Sequence, residues 1–385
     1  MRILVITSQF PIVGDPNRGR AVYQTVCALQ RLADVQVVSP VATYPKWAQP
    51  GSYVYRPPSN TFRVGVKTEY VSYFALPGIS RPFNGWLASR ALRPVIRRLQ
   101  PDVVLSYWLY PDAFGAWLAA QRSGIPIVVG ARGSDIRVRD ALSKRLTRYV
   151  VGRAQRVLTV SADLGRLAVD EYGASPNAVR VVPNGCDIEI FHPGDRRAAR
   201  MALGIAADRE VVLFVGRLVI EKGVRELIDA VRVLRASRPN LELVFVGEGP
   251  AKNELLVRAS GLPIRFEGGQ PPEKVAKWMT AANVAALPSY SEGHPNVLVE
   301  ALACGRPVVA CGVGGVLEIV DEYSGILVPL RDAKGLAVGL DAALVRNWDE
   351  GRLASRFSRS WAQVAEETLA VCAEVVGAPG ARQCL

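Results

Sequence analysis

L-P-S-Y-S-E-G-H-P-N-V-L-V-E-A-L-A-C-G-R-P-V-V-A (Leu287–Ala310) reads as one strand–loop–helix–strand unit. The apolar run Ala285–Leu287 stops at Pro288, a polar loop carries Glu292, and helical spacing runs from near Asn296 to Gly305. P-V-V-A then restores an extended, β-branched run. The first N–H groups of a helix have no partner within it, and the positive end of the dipole lies there. The amides of His294, Asn296, Val297 and Leu298 therefore suit an anion such as a diphosphate, whereas Pro295 has no N–H to offer. Glu292 precedes that site, and Glu300 lies about one turn inside the helix, ~6 Å deeper. A carboxylate beside an anion site is tolerated when it accepts hydrogen bonds from neutral groups, and sugar hydroxyls are suitable donors.

A related arrangement stands upstream. V-V-L-F-V-G-R-L-V-I-E-K-G-V-R-E-L (Val211–Leu227) is a strand running into Gly216 and Arg217, with Lys222-Gly223 at a helix start. Arg presents a fork of donors and Lys a point charge, and both suit a leaving diphosphate. After L-V-F-V, Gly247-Glu248-Gly249-Pro250 lets the backbone approach a ligand closely, although glycine clusters also make ordinary turns.

Strand-like runs lie at Arg2–Thr7, Val35–Ser39, Val103–Ser106, Ile125–Val129, Arg156–Val160 and Ala178–Val182. A second series follows at Val211–Val215, Leu241–Val246, Ile264–Phe266, Ala285–Leu287, Pro307–Ala310 and Gly325–Val328. Most are continuously apolar, as strands covered on both faces are, and helical segments separate them. The pattern predicts an α/β chain of two doubly wound, Rossmann-like domains facing across a cleft, with ligands at the carboxyl ends of the strands. The break at P-N-G-C-D (Pro183–Asp187) suggests an N-terminal domain 1–185 and a C-terminal domain 186–356. A helix 357–376 is expected to complete the first domain, and 377–385 to form a flexible tail. Residues 44–88, rich in Pro and aromatics, are expected to form an elaborated loop region.

The 385 residues carry 47 Lys/Arg and 35 Asp/Glu, a formal charge of +12. Residues 1–190 hold 24 basic and 12 acidic side chains, and residues 191–385 hold 23 of each. The whole excess sits in the first half, which points to an anionic partner there. The segments Ser89–Leu99, with Arg93, Arg97 and Arg98, and Asp135–Arg153 place basic residues at helical spacing beside apolar ones. A solvated face and an anionic membrane surface both explain this, and nothing resembles a nucleic-acid-reading module. At 49% hydrophobic and 21% charged the chain is not a disordered one. Six scattered cysteines without a C-x-x-C pair, and two histidines, argue against a zinc site or a disulfide framework. The opening M-R-I-L-V-I-T lacks a signal-peptide apolar stretch, and no run approaches the ~20 residues of a membrane span. Cys384 fits no prenylation pattern. A cytoplasmic protein, at most peripheral at the inner face of the membrane, is expected.

Five elements together resemble the retaining nucleotide-sugar glycosyltransferases of family 4, which have the GT-B fold. They are G-R-L-x-x-E-K-G (Gly216–Gly223), G-E-G-P (Gly247–Pro250), the glutamates Glu292 and Glu300, V-G-G-V-L-E (Val313–Glu318) and the linker V-P-N-G-C-D-I-E-I-F-H-P. The resemblance spans nearly the whole chain and is densest over 180–330. Y-W-L-Y-P-D (Tyr107–Asp112) and R-G-S-D-I (Arg132–Ile136) look like the branch acting in bacterial cell-surface polysaccharide assembly.

The resemblance implies a catalytic set of Arg217, Lys222 and Glu292. Arg217 and Lys222 would grip the donor diphosphate and stabilise it as it leaves, and Glu292 would hold the transferred sugar beside its reacting carbon. Gly216, Gly247, Glu248, His294, Asn296, Val297, Leu298 and Glu300 would line the donor, with Glu300 on the ribose hydroxyls. Gly19 would let the N-terminal domain close on the donor, although Arg18-Gly19-Arg20 stands where family members often have two glycines. Arg132 occupies a position where many members carry His. Always charged, it cannot act as a base but can hold a phosphate or an anionic acceptor. Tyr107, Arg132 and Asp135 are the acceptor-side candidates.

The implied reaction needs no metal and no cofactor. It is a hexosyltransferase-type transfer, with retention, from a nucleotide-diphospho-sugar (UDP before GDP) to a lipid-linked or saccharide acceptor. An epimerase of the same fold would call for several cleft carboxylates and histidines. A non-catalytic basic protein for membrane or nucleic acid would leave Arg217, Lys222, Glu292 and Glu300 together unexplained. Ser161, Asn184 and His192 read as structural.

Overall fold

The computed structural model describes residues 1–12, 15, 18–49, 59–61, 66–137 and 140–377. The expected tail beyond Gly377, residues 50–58 and 62–65 of the expected loop region, and Val138 and Arg139 of the basic segment lie outside the described residues. The chain forms two compact units, Met1–Asn184 with Trp361–Leu385, and Gly185–Ser360.

In the first unit, β1 (Arg2–Ile6), β2 (Asp34–Thr43), β3 (Ser59–Thr61), β4 (Lys67–Phe74), β5 (Val103–Tyr107), β6 (Ile127–Ala131), β7 (Arg156–Thr159) and β8 (Val179–Val181) make one sheet. Its order is β3-β4-β2-β1-β5-β6-β7-β8, parallel except for the antiparallel β3–β4 pair. Alternate residues face two separate cores. Leu4, Ile6, Val104 and Val129 enter one; Ile3, Val5, Val103, Leu105 and Val128 enter the other. Both faces are thus covered, which is why these strands read as unbroken apolar runs.

The expected loop region departs from expectation. It contains β4, and a helix Asn84–Leu99 begins within it. β2 also runs on through Pro40 to Thr43. Beyond Val38 its ladder continues only with β4, so the missing Pro40 N–H faces a side with no strand to bond among the described residues. The last helix, Trp361–Val376, buries Val364, Ala365, Val371, Cys372 and Val375 in the first unit's core. Phe357 packs instead on the second unit's core, so the return crossing falls at Ser360.

The second unit holds β9 (Glu210–Val215), β10 (Leu241–Val246), β11 (Ile264–Phe266), β12 (Val284–Leu287), β13 (Val308–Cys311) and β14 (Gly325–Val328). All run parallel in the order β11-β10-β9-β12-β13-β14. Succession reverses between β9 and β12, which pair through Val212–Val284 and Leu213–Ala285. A crevice opens at such a reversal, outside the carboxyl ends of the two strands. The corresponding reversal in the first unit lies between β1 and β5.

Candidate functional site

The loops leaving β9 and β12 emerge side by side at the second unit's reversal point. Gly223 caps the helix Val224–Leu234 in the left-handed conformation (φ 68), and a Cβ there would fall 2.0 Å from the Pro288 carbonyl oxygen. Only glycine lets the two loops approach this closely. The Tyr290 N–H donates to the Glu221 carbonyl at 2.8 Å. Lys222 Nζ then reaches Glu292 Oε1 at 2.5 Å, with side chains 29% and 11% exposed. Arg217 is exposed beside them in sequence and has no ion pair among the described residues.

The loop after β10 closes on the β9 loop in the same manner. At Gly247 (φ 147) a Cβ would meet the Gly216 carbonyl oxygen at 1.9 Å. Leu218 N–H donates to the Glu248 carbonyl (3.0 Å), while the Glu248 side chain pairs with Lys252 Nζ (2.9 Å) and is 56% exposed. Gly216, Gly247 and Glu248 thus stand together with Arg217.

The helix Asn296–Ala303 starts after Pro295, with no side chain capping it. His294, Asn296 and Val297 are half-buried at its mouth. Leu298 departs from expectation: its N–H donates to the Pro295 carbonyl at 3.0 Å and its side chain is buried, so it offers no free amide. A tight i→i−3 bond in the first turn takes up that donor. Glu300 lies half-buried one turn in. Its charge reaches the Cys304 thiol, which burial first and Glu300 second push up to about 12. The Gly314–Glu318 turn is tied to the site by the Gly315 N–H on the Glu292 carbonyl (3.4 Å).

In the first unit, Gly19 is the left-handed N-cap of the helix Arg20–Leu29. The Ser8 N–H donates to Asp112 Oδ2 at 2.5 Å, joining the loops after β1 and β5. Arg132 is held from three sides: its guanidinium lies 4.5 Å from the Tyr107 ring centroid, donates to Asn184 Oδ1 (2.5 Å) and reaches Thr25 Oγ1 (3.5 Å). Two acceptor-side expectations are corrected here. Tyr107 is buried beneath Arg132, and burial pushes its hydroxyl pKa upward. Asp135 is 3% exposed, and its Oδ1 accepts the N–H groups of Arg132 (2.8 Å) and Gly133 (2.9 Å). Burial raises its pKa. Both support Arg132, and only Arg132 of the three keeps access to solvent.

Ser161 caps its helix by accepting from Leu164 N–H, and the exposed His192 has Nδ1 3.0 Å from the Pro193 carbonyl oxygen. Among the described residues, no three His, Cys, Asp or Glu side chains converge as a metal site. Sequence reasoning missed Tyr290, Glu226 and Arg331, which lie behind the Glu292 loop, and also Asp112. An aromatic residue inside the polar S-Y-S-E loop was the available signal.

Residues 195–360 match the family described as Glycosyl transferases group 1, and residues 19–190 match Glycosyltransferase Family 4. A Bacillus subtilis protein named as a teichuronic acid biosynthesis glycosyltransferase is 32% identical over 351 residues, spanning 88% of this chain and 87% of that one. A D-inositol 3-phosphate glycosyltransferase of Stackebrandtia nassauensis is 30% identical over 424 residues, spanning 97% and 92%. Among solved structures, Anabaena Alr3699/HepE in complex with UDP superposes with a TM-score of 0.74 at 19% identity, over 97% of this chain and all of that one. Sucrose-phosphate synthase from Thermosynechococcus elongatus gives 0.73 at 20%, over 97% of each.

Proposed function

The chain belongs to glycosyltransferase family 4, with two Rossmann-like domains of the GT-B type, and on that premise we propose a donor, a mechanism and an acceptor class. The donor is a nucleotide-diphospho-sugar, a UDP-sugar before a GDP-sugar. The sugar passes with retention, and without a metal ion, to a lipid-linked or saccharide acceptor in cell-surface glycoconjugate synthesis. The carrying observation is the Lys222–Glu292 pair beside Arg217 at the sheet reversal of the second unit. Before a donor binds, the ammonium and the carboxylate neutralise each other. A diphosphate then takes the ammonium, together with Arg217 and the amides at the start of the helix Asn296–Ala303, and sugar hydroxyls replace the ammonium on Glu292. Glu300 serves the ribose hydroxyls. The acceptor hydroxyl attacks the anomeric carbon on the face that the diphosphate leaves, and its proton passes to the departing phosphate oxygen. Fixed cations where charge develops supply the stabilisation.

The names of two relatives support the acceptor class. One relative is named for teichuronic acid biosynthesis and the other for D-inositol 3-phosphate, and a phosphate group on the acceptor would suit the fixed guanidinium of Arg132. The test is transfer from a UDP- and GDP-sugar panel in excess EDTA, followed by anomer-resolved NMR. Retention with undiminished turnover in the chelator is expected. Inversion, or activity lost in EDTA and restored by one cation, overturns the mechanism.

An anionic membrane is the further partner of this reading, met through the first unit. No helix among the described residues is long and apolar enough to cross a membrane. Ile79, Phe83, Trp86, Leu142 and Tyr149 are exposed, and ring contacts link Phe83, Trp86, Phe114 and Tyr149 into one strip. Arg90, Arg97, Arg145 and Arg148 are exposed on the helices Asn84–Leu99 and Ala141–Val151 and have no ion pair among the described residues. Aromatics among uncompensated cations fit an anionic interface, where each Lys or Arg adds ~1 kcal/mol. Arg98 and Arg93 are poorer choices than the sequence suggested, since Arg98 grips Glu69 and Arg93 is half-buried. Liposome co-sedimentation should require anionic lipid, fade with salt and fall when Arg90, Arg97, Arg145 and Arg148 are reversed to Glu. No lipid-dependent sedimentation at low salt would leave only a solvated face.

A further inference from the structure

Behind the loop that carries Glu292 lies a polar cluster with no task in the donor reading. Tyr290 opens that loop, and its hydroxyl donates to Glu226 Oε1 at 2.7 Å. Glu226 stands in the first turn of the helix Val224–Leu234, four residues after Lys222. Its other carboxylate oxygen is buried and has no hydrogen-bond partner among the described residues. On the ring of Tyr290 lies Arg331, its guanidinium carbon 4.6 Å from the centroid. Arg331 adopts φ 56, a left-handed conformation that non-glycine residues seldom take. Such outliers persist where their surroundings over-determine them.

The ties converge on one short stretch. Pro288 is fixed by the close approach of Gly223, Tyr290 by its N–H on Glu221 and its hydroxyl on Glu226, and Glu292 by Lys222. These four partners lie within Glu221–Glu226, and Arg331 on the Tyr290 ring and the Gly315 N–H on the Glu292 carbonyl add ties from outside it. Glu292 is two residues beyond Tyr290, so a rotation of the loop at Tyr290 carries the carboxylate off the ammonium. We propose that Tyr290 is a positioning residue of the donor site: through Glu226 and Arg331 it holds the loop Ser289–Glu292 in the register that sets Glu292 on Lys222. The inference rests on the donor reading for its catalytic consequence, and on geometry alone for the brace. Burial, and then Glu226, push the Tyr290 hydroxyl up to about 12, so it remains a donor at every working pH.

A misplacement of about 1 Å in a catalytic group can lower turnover ~10²-fold. The loss of one brace among several should have a smaller effect. Tyr290→Phe removes only the hydroxyl, and kcat with the best sugar donor of the panel should fall about tenfold, with donor KM changed less than about twofold. Glu226→Ala should match it. Glu226→Gln, which still accepts from the hydroxyl, should retain most of the activity. In a Lys222→Ala background Tyr290→Phe should have no further effect, because the pair it sets is already gone.

Amide hydrogen exchange on the ligand-free protein reads the loop without any turnover. Tyr290→Phe should speed exchange of residues 289–293 about tenfold and leave β9 and β12 unchanged. Unaltered exchange in the loop overturns the brace, as does a kcat loss that persists in full without Lys222. Faster exchange in a protein that transfers no sugar from the panel upholds the brace and overturns the donor reading instead.

Discussion

Lys222→Ala should lower kcat by ~10²–10³, the usual result of deleting one preorganised donor aimed at developing charge. The structure sharpens this expectation. Lys222 holds Glu292 at 2.5 Å, and that carboxylate is only 11% exposed. On the proposed donor reading, its removal takes away a diphosphate ligand, and it also leaves a poorly hydrated carboxylate without its cation. Arg217→Ala should lower kcat by a similar factor while leaving the melting temperature nearly unchanged, since Arg217 is exposed and makes no ion pair among the described residues. The two glutamates should separate kinetically. On the proposed reading Glu292→Ala should lower kcat, because there its partner is the transferred sugar. On the same reading Glu300→Ala should raise donor KM, because the ribose contacts proposed for it would hold equally in ground and transition states. Steady-state kinetics over a donor series decides it: wild-type turnover in Lys222→Ala removes the clamp, and identical patterns in the two glutamate variants remove the division of labour.

The parts of this architecture that were legible share one physical property. A strand covered on both faces must be apolar at successive positions, so its signal is local and needs no partner to interpret it. The expected runs from Arg2–Thr7 to Gly325–Val328 all contain strands for that reason. β4 was hidden because K-T-E-Y-V-S-Y-F lies one strand in from the edge, beside the three-residue β3, and is only partly covered. β2 was expected to end at Ser39, before Pro40. Only the strand order shows that no neighbour needs that residue's N–H.

The sequence named the candidate residues of the site but not their pairings. Lys222 and Glu292 are 70 residues apart. They meet because β9 and β12 are neighbours in the sheet, and strand order is a long-range property that periodicity does not carry. Asp135 shows the opposite limit. A carboxylate just after a strand has the position of a ligand group, but here it accepts the amides of its own turn. Asx turns and ligand carboxylates use the same residue in the same place, and burial separates them. Leu298 fell the same way, through a single i→i−3 bond.

Glu350→Ala should destabilise the second unit by about 3 kcal/mol, at the lower end of what breaking a buried ion pair costs. Arg306 follows the helix Asn296–Ala303 and is 1% exposed. Its guanidinium meets both carboxylate oxygens of Glu350, one at 3.0 Å, and its Nε donates to the Cys304 carbonyl at 3.2 Å. Glu350 is 44% exposed and also receives Arg196, so water reaches one side of the cluster and moderates the loss. At about 2–4 °C per kcal/mol for a unit of this size, the melting transition should drop by roughly 6–12 °C. Glu350→Gln should lose less, since it keeps an acceptor. The double variant Arg306→Met with Glu350→Leu should recover much of the loss, because apolar replacement removes the uncompensated charge together with its partner. Calorimetry decides between the outcomes, and a Glu350→Ala transition within 2 °C of wild type would mean that solvent already neutralises Arg306. The consequence reaches the donor site. The same residue pair anchors the carboxyl end of the helix whose amino end stands beside Glu292, so on the proposed donor reading Glu350→Ala should weaken UDP binding at temperatures well below the melting transition.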